Sequence, residues 1–213
     1  MKFSAQELPE LAFAASRAAV EAHADPASDA ARADAARCVE EALTLPDQYV
    51  LEDLAALAPV RALADHADSR ELHALLQVVV SGSVADFEAL PAGLWAARPA
   101  LEREALLAKV RLLALCSAAE HEAALPFAAA AAALGLPEAR GAALESWIIR
   151  AMSQGLLTGK LDQEAQVVRI SSVVSRTFGP RQWSKVETEL QGWLAAVRNV
   201  RQLVADGKPV PAK

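Results

Sequence analysis

Cysteine and aromatic side chains are scarce in this sequence. Its 213 residues include two cysteines, and aromatic residues make up 5% of the total. Cys38 and Cys116 lie among apolar neighbours in helical patterns, which favours buried thiols over a disulfide or a reactive site. The chain is still long enough to bury a substantial core, as one large domain or as two small domains that share an interface.

Long apolar runs are also missing. No window reaches roughly 18 apolar residues, the length of a membrane span. The longest uncharged alanine-rich stretch, residues 123–137, is interrupted by Pro126 and Gly135. The first ten residues (MKFSAQELPE) hold acidic residues and a proline where a signal peptide needs an apolar stretch. We therefore expect a cytoplasmic protein.

A strong excess of positive charge is absent as well. The net charge is −6, with 12 basic and 22 acidic residues in 1–150 but 9 basic and 5 acidic residues in 151–213. A DNA-binding protein would present a strongly basic face. The pattern indicates an acidic body with a mildly basic end, which could meet an acidic partner or touch RNA weakly.

The sequence holds no convincing catalytic or metal-binding motif. The segment Gly155–Lys160 resembles a phosphate loop, but it has three residues between its glycines, lacks Ser or Thr after the lysine, and follows a helix rather than a strand. We interpret Gly155 as a helix C-cap and Lys160 as an outward strand residue. The histidines (His23, His66, His73 and His121) do not have metal-ligand spacing. We expect no catalysis, cofactor, metal, small-molecule substrate or membrane contact.

Hydrophobic residues make up 54% of the chain, and many of them are alanine, a strong helix former. Because β-branched runs are few, the composition predicts a mainly helical protein with one small sheet. A loop is expected at 90–99, with Trp95 fixing it in place. Helices are predicted over residues 6–22, 28–44, 47–57, 59–65, 68–80, 83–89, 99–119, 126–134, 139–154 and 180–205.

The order of these elements predicts four regions. Residues 1–98 form a helical repeat or bundle, and residues 99–178 have the helix, helix, helix, hairpin order of a winged helix. Residues 179–205 form a C-terminal bundle helix, and residues 206–213 a flexible tail. The boundary near 98 is soft, because helix 99–119 could pack on both parts.

The last third of the chain is the most informative. After helix 139–154, two apolar runs at 156–161 and 166–170 predict a hairpin or wing. In the following helix, apolar residues recur every 3.5 residues over three heptads, a period typical of a helix that packs along another helix. This apolar seam comprises Trp183, Val186, Leu190, Trp193, Val197, Val200 and Val204, and Leu194 and Leu203 widen it.

Burying seven seam residues amounts to about 10–20 kcal/mol of gross stabilisation. The wing and the helical body can cover only part of a helix of this length. Two interpretations stay open: the helix folds back on its own domain, or part of it joins helices of other chains. We favour the second, which makes assembly rather than catalysis the expected function.

A winged helix can also bind nucleic acid, so the charge of its recognition helix matters. Helix 139–154 sets Arg140 and Arg150 against the preceding Glu138 and its own Glu145, so its charge is close to neutral. Reading duplex DNA needs a clear basic excess. The basic residues Arg169, Arg176, Arg181, Lys185, Arg198 and Arg201 are interpreted as a solvated polar face rather than a nucleic-acid contact.

Several segments resemble the PCI-domain family, whose members occur in the proteasome lid, the signalosome and eukaryotic translation initiation factor three. They are Asp34–Leu43 (DAARCVEEAL), Leu57–Leu63 (LAPVRAL), Lys109–Leu113 (KVRLL), Lys160–Gln163 (KLDQ) and Ser175–Trp183 (SRTFGPRQW). The likeness covers about residues 28–204, and within the family it points to subunit M of the initiation factor. Arg176–Trp183 discriminates best, whereas Lys160–Gln163 is shared with signalosome subunit seven. The helical repeat before residue 28 is shorter than subunit M usually has.

The resemblance implies a non-catalytic scaffold subunit that supports recruitment of the small ribosomal subunit and messenger RNA, with any RNA contact secondary. Partners would be other PCI subunits and MPN-type subunits of one complex. The wing edge, Val167, Val168, Arg169 and Ile170, would pair with a neighbouring PCI subunit by strand addition. The seam helix, with Leu194, would enter a bundle of C-terminal helices. The alternatives are a signalosome or proteasome-lid subunit and a winged-helix nucleic-acid-binding module.

Overall fold

The structure, a computed structural model, describes residues 7–26, 28–120, 122–137 and 141–205. These residues form a mainly helical protein with one three-stranded sheet, which confirms the predicted fold class. The chain divides into two compact units, Met1–Thr177, here called the body, and Phe178–Lys213, the C-terminal unit. No helix in the described ranges is long and apolar enough to cross a bilayer.

The first half of the body is built from short helices. Ser28 begins the second of them by accepting a hydrogen bond from the Ala31 N–H at 3.2 Å. Ser83 and Asp86 form a capping box at the start of the sixth, and these hydrogen bonds lower the pKa of Asp86. The helices are α1 (Glu7–Ala22), α2 (Asp29–Thr44), α3 (Glu52–Ala56), α4 (Ala58–Ala62), α5 (Ala67–Ser81), α6 (Val84–Glu88) and α7 (Ala92–Ala97), with a 3-10 turn at Leu63–Asp65.

The second half of the body has winged-helix order. Its elements are α8 (Arg103–Ala119), β1 (Ala124–Pro126), α9 (Phe127–Leu134), α10 (Ala142–Ser153), β2 (Leu157–Asp162) and β3 (Val167–Val173). The strands are antiparallel and lie in the order β1, β3, β2. Gly155 has a φ of 71° and ends α10, as expected for a C-cap, and the Leu156 N–H donates to the Ala151 carbonyl.

Helix α8 belongs to both hydrophobic cores of the body. Leu106, Val110 and Leu113 pack into the core made by the first seven helices. Leu112 and Leu115 pack with α9, α10 and the sheet. The two halves of the body therefore share a central helix, which is why no sharp division appears near residue 98.

Several details differ from the sequence-based expectations. Helix α8 begins at Arg103 rather than at residue 99. Helix α3 begins at Glu52 rather than near residue 47. The expected loop at 90–99 contains α7, because Pro91 occupies the N-cap position rather than a helix interior; Trp95 still packs there, 5.4 Å from the Phe87 ring. Strand β1 was not predicted, since three residues show no alternation and the strand exists only through its pairing with β3.

Candidate functional site

Helix α11 (Pro180–Ala205) carries the predicted seam. Pro180 stands at its first turn, where a missing N–H costs nothing. The Gly179 N–H donates to Gln182 Oε1 at 3.0 Å, and the Phe178 and Trp183 rings pack edge to face at 4.9 Å. The helix thus begins with a defined cap and an aromatic pair within the C-terminal unit.

The seam residues of α11 are largely exposed. The exceptions are Val186 and the flanking Leu203, which are half-buried. The exposed fractions are 63% for Trp183, 54% for Leu190, 66% for Trp193, 49% for Leu194, 64% for Val197, 46% for Val200 and 66% for Val204. Scattered apolar side chains are normal on a protein surface, but a continuous stripe with two tryptophans is typical of an interaction surface.

The expectation that Val167–Ile170 form a sheet edge is wrong. These residues lie in β3, the central strand, with β1 on one side and β2 on the other. Val168 is completely buried, and Ile170 donates its N–H to the Ala123 carbonyl at 2.9 Å. Strand β1, which was not predicted, pairs with the side of β3 where a strand of a partner subunit was expected.

The outer sides of β1 and β2 are the two edges of the sheet, and β2, with six residues against three, is the longer one. Within the described ranges, no strand pairs with the outer side of β2. The Ile170 N–H and the Gln166 carbonyl form backbone hydrogen bonds on the β1 side. Backbone groups alternate in direction along an antiparallel strand, so those of Arg169 and Val167 face β2. The backbone groups of their register partners Lys160 and Asp162 therefore face β3. The backbone groups of Gly159 and Leu161 consequently face away from the sheet.

A bulge at Thr158 and Gly159 shapes this edge. The pairing register shifts between these two residues. A Cβ at Gly159 would lie 2.3 Å from the Arg169 carbonyl oxygen, a separation that real Cβ atoms essentially never show. Glycine is therefore required by the close approach of the two backbones, not by a phosphate-binding role. Lys160 is exposed on the strand, as the sequence suggested.

Two arginines contact an aromatic ring of the recognition helix α10. The Arg111 Cζ lies 5.7 Å and the Arg150 Cζ 5.3 Å from the centroid of the Trp147 ring. These cation–π contacts hold the cations on an aromatic face. Glu145 accepts a hydrogen bond from Gln163 in the wing turn. Arg140 and Glu138 lie outside the described residues.

Two cationic side chains are buried, which the sequence did not predict. Lys109 is 6% exposed and donates to the Leu45 carbonyl at 2.8 Å and the Leu43 carbonyl at 3.4 Å, at the C-terminus of α2. Burial lowers the pKa of Lys109 to about 8, while Asp47 acts in the opposite direction. Arg176 is 5% exposed and donates to the Val78 and Val79 carbonyls near the end of α5, so its interpretation as part of a solvated polar face is wrong. Both cations bind backbone carbonyls at helix ends that are far away in the sequence, so no local motif predicts these contacts.

Neither cysteine has the environment of a reactive thiol. Cys38 and Cys116 are free and buried. Burial raises the pKa of Cys38 to about 11 and that of Cys116 to about 12, so both stay protonated near neutral pH. This confirms their interpretation as small apolar core residues. Across the described residues, no group of three or more His, Cys, Asp or Glu could hold a metal ion.

Comparison with known proteins places this geometry in a family. The PCI domain matches residues 95–172, from α7 to β3. Residues 95–172 therefore form a PCI domain. This confirms the resemblance seen in the sequence, and the matched region contains the shared helix α8, β1, β2 and β3 up to Ser172.

Several relatives carry the same name, "Eukaryotic translation initiation factor 3 subunit M". The protein of Nematostella vectensis is 32% identical over 181 residues, which cover 84% of this chain and 46% of the relative. Those of Drosophila willistoni and Culex quinquefasciatus are 32% and 33% identical over 180 residues, covering 81% of this chain and 43% of each relative. The chain spans about half the length of the curated relatives it matches.

Proposed function

We propose that this chain is a non-catalytic scaffold subunit of a translation initiation factor 3 complex. It would join other PCI subunits and MPN-type subunits and so support recruitment of the small ribosomal subunit and messenger RNA. The observation that carries the proposal is the exposed seam of α11, whose Trp193 and Val197 are 66% and 64% exposed. The similarity to relatives named subunit M supports this choice of complex.

The spacing of the seam favours helices as partners. Apolar residues at alternating steps of three and four form the stripe that inserts into the holes of a facing helix. Leu194 lies beside this stripe and widens it, as a helix with more than one neighbour requires. Other parts of the α11 surface are polar, with exposed Thr188, Gln191 and Arg198. A bundle of C-terminal helices would cover the stripe and leave the polar side in water.

The outer side of β2 is the proposed contact for a neighbouring PCI subunit. An unpaired edge invites strand addition, because main-chain groups that bond water can bond a partner strand instead. The outward groups of Gly159 and Leu161 would form these hydrogen bonds. This replaces the expected contact through Val167–Ile170, which β1 already occupies.

A pair of double substitutions tests the role of α11. Trp193→Asp with Val197→Asp places two carboxylates in the seam. Ala195→Asp with Gln202→Asp is the matched control, since it adds the same charge to the same helix away from the seam. We expect both proteins to be folded by circular dichroism, but only the control to co-purify with partner subunits. Equal co-purification of the seam variant would refute the bundle role.

The β2 edge is tested at Leu161. Leu161→Pro removes the outward N–H, and Leu161→Ala removes a similar amount of side chain while keeping that N–H. If strand addition occurs, crosslinking to the adjacent PCI subunit should fall with proline and be retained with alanine. Equal yields from the two variants would exclude β2 as the contact.

The identity of the complex is tested by affinity capture of the full chain from native extract. Mass spectrometry should find other initiation-factor subunits together with proteins of the small ribosomal subunit. Recovery of cullins or proteasome subunits instead would assign the chain to one of the alternative PCI complexes and contradict the proposal.

A further inference from the structure

A cavity of about 330 Å³ lies on one face of α8, where the two halves of the body meet. Leu106, Lys109 and Leu112 line it from α8, and the other walls come from the segment after α2, the segment before α8, and α10. Glu102 and Arg150 are exposed members of the lining, so the cavity is open to solvent. Its volume is at the small end of the range for ligand pockets, which begins near roughly 300 Å³.

Lys109 is the buried charge of this cavity. It is 6% exposed, and its Nζ donates to the Leu45 carbonyl at 2.8 Å and to the Leu43 carbonyl at 3.4 Å. An ammonium has three N–H groups, so these carbonyls leave one donor without an acceptor in the described part of the chain. The Tyr49 ring, which also lines the cavity, has its centroid 5.8 Å from Nζ.

The charge of Lys109 is not neutralised by a carboxylate. The ion pairs among the described residues include neither Lys109 nor Arg150. Buried charges are normally paired, because an isolated one loses its hydration. The C-terminus of α2 offsets only part of the charge, about half an elementary charge. Burial lowers the pKa of Lys109 to about 8, so the side chain is still mostly protonated near neutral pH.

Arg150 supplies a second cation to the same cavity. It is exposed on α10, and its Cζ lies 5.3 Å from the centroid of the Trp147 ring. Glu102 is the acidic residue among the described lining residues, and it is also exposed. The lining therefore has an excess of positive charge, and its buried part carries the cation alone. This is the charge distribution of a site that receives an anion.

The lining favours a carboxylate over a phosphate. A phosphate group carries up to about two negative charges near neutral pH and presents three acceptor oxygens, so it needs several donors. Lys109 has one donor left, and the Glu102 carboxylate would repel a dianion. The remaining walls are largely apolar, with Leu101, Leu106 and Leu112 among them. A single carboxylate next to an apolar group matches both features.

We propose that this cavity receives a carboxylate of a partner subunit, carried beside an apolar side chain, with Lys109 and Arg150 as the residues that bind it. This rests on the proposed function for the nature of the partner, a subunit of the same complex. Because the cavity is small and open to solvent, it suits a group that protrudes from a protein surface. The carboxylate can come from a chain end or from an acidic side chain, which have the same chemistry.

The first measurement uses the isolated full chain and two matched pairs of probes. N-acetylleucine has a terminal carboxylate, and N-acetylleucinamide is its neutral match. Acetyl-leucyl-glutamate amide has a side-chain carboxylate alone, and acetyl-leucyl-glutamine amide is its neutral match. Chemical shifts of backbone amides in ¹⁵N-labelled protein report where each probe binds and how tightly.

We expect at least one acid to shift the signals of Ala105 and Leu106 at millimolar concentration and to bind about tenfold or more tightly than its neutral match. The acid that binds identifies the source of the carboxylate as a chain end or a side chain. If neither acid binds better than its match, the proposal is overturned.

Three substitutions test which charges attract the acids. Lys109→Met removes the buried ammonium, and Arg150→Gln removes the exposed cation. The control is Arg103→Gln, which removes an exposed cation of α8 outside the lining. We expect Lys109→Met to abolish the preference for the acids, Arg150→Gln to reduce it several-fold, and the control to retain it.

This readout separates ligand binding from a purely structural role. If Lys109 served only to cap α2, folded Lys109→Met protein would still prefer the acids. A preference that persists in both Lys109→Met and Arg150→Gln therefore overturns the proposal. Should Lys109→Met fail to fold, Arg150→Gln carries the test, because its exposed side chain can be replaced without opening a core.

A cavity-filling substitution tests the partner. Ala105 lines the cavity and is exposed, so Ala105→Trp fills the space while both cations remain. Ala96→Trp makes the same change at an exposed site of α7 outside the lining. We expect capture of partner subunits from native extract to fall with Ala105→Trp and to be retained with Ala96→Trp.

The two proposals can fail separately in this capture experiment. If the native chain captures no initiation-factor subunits, the proposed function fails whatever the probes show. If both tryptophan variants capture those subunits as well as the native chain does, the proposed function stands and the cavity is not a subunit contact. That result would assign the carboxylate to a free small molecule and overturn the present inference.

Discussion

The body and the C-terminal unit use apolar side chains in opposite ways. In the body, leucines such as Leu72 and Leu113 in one core and Leu115 in the other are at most 1% exposed. In α11, Leu190 is 54% exposed and the two tryptophans more so. Both regions are helical with similar residue types, so helical periodicity alone does not say whether an apolar stripe belongs to a core or to an interface.

The difference follows from how many layers each region contains. In the body, the residues of α8 pack with other helices in one core and with α9, α10 and the sheet in the second. The C-terminal unit is described as one helix, and one helix cannot cover its own stripe. Stability of the fold and affinity for partners are therefore expected to reside in different residues.

The largest expected effect is on the free energy of unfolding, when one leucine in each region is replaced by alanine. Leu113→Ala opens a cavity in the shared helix α8 and should lower the free energy of unfolding by about 2–5 kcal/mol. Leu190→Ala makes the same chemical change at an exposed site and should alter it by less than about 0.5 kcal/mol. Urea denaturation followed by circular dichroism measures both. Comparable losses would show that α11 is part of the fold rather than an interface.

The buried lysine gives the body a pH dependence. Burial lowers the pKa of Lys109 from 10.5 to about 8. The unfolded chain therefore binds more protons than the folded one between pH 8 and 10.5, so this residue makes the free energy of unfolding rise with pH in that window. Lys109→Met removes the titration while keeping an apolar stem.

The stability advantage of the native protein over Lys109→Met should thus grow by about 2 kcal/mol from pH 8 to pH 10. Comparing the two proteins at each pH cancels the titration of Cys38 and Cys116, which both retain. Urea denaturation across this range supplies the measurement. An advantage that stays constant or shrinks with pH would mean that the Lys109 ammonium is not destabilised by its surroundings.

The smallest effects concern two glycines and have opposite signs. Gly159→Ala places a Cβ against the Arg169 carbonyl and should destabilise the body by about 1–2 kcal/mol. Gly192→Ala meets nothing within 4 Å in α11 and should stabilise that helix by about 0.5–1 kcal/mol. Thermal unfolding measures the first, and amide hydrogen exchange in α11 the second. Destabilisation by both would indicate that Gly192 already packs closely against another group.

Much of the fold was predictable from local patterns. The bounds of α2, α5, α9 and α11 agree with the sequence within one or two residues, because apolar periodicity and caps are local signals. The seam of α11 was found in the same way. The order of the predicted elements indicated a winged helix, and α8 to β3 have that order. The family resemblance is confirmed by the PCI-domain match at residues 95–172.

The error in the sheet concerns interactions between residues distant in sequence. Strand β1 has three residues and no pattern of its own, and its pairing converts β3 from an expected edge into the central strand. The proposed strand contact therefore moves from Val167–Ile170 to β2. Helix α7 was taken for a loop because prolines and a glycine usually break helices, although Pro91 here precedes one.

The sequence by itself determined which segments are helical and which helix has an apolar stripe, since spacing along the chain fixes which side chains share a face. Only the tertiary structure decided which strand is open and which cations are buried. Strand order and the contacts of Lys109 and Arg176 depend on backbone groups that chain folding brings together from up to 98 residues away. Every residue has a backbone carbonyl, so the sequence does not indicate which carbonyl will accept such a hydrogen bond.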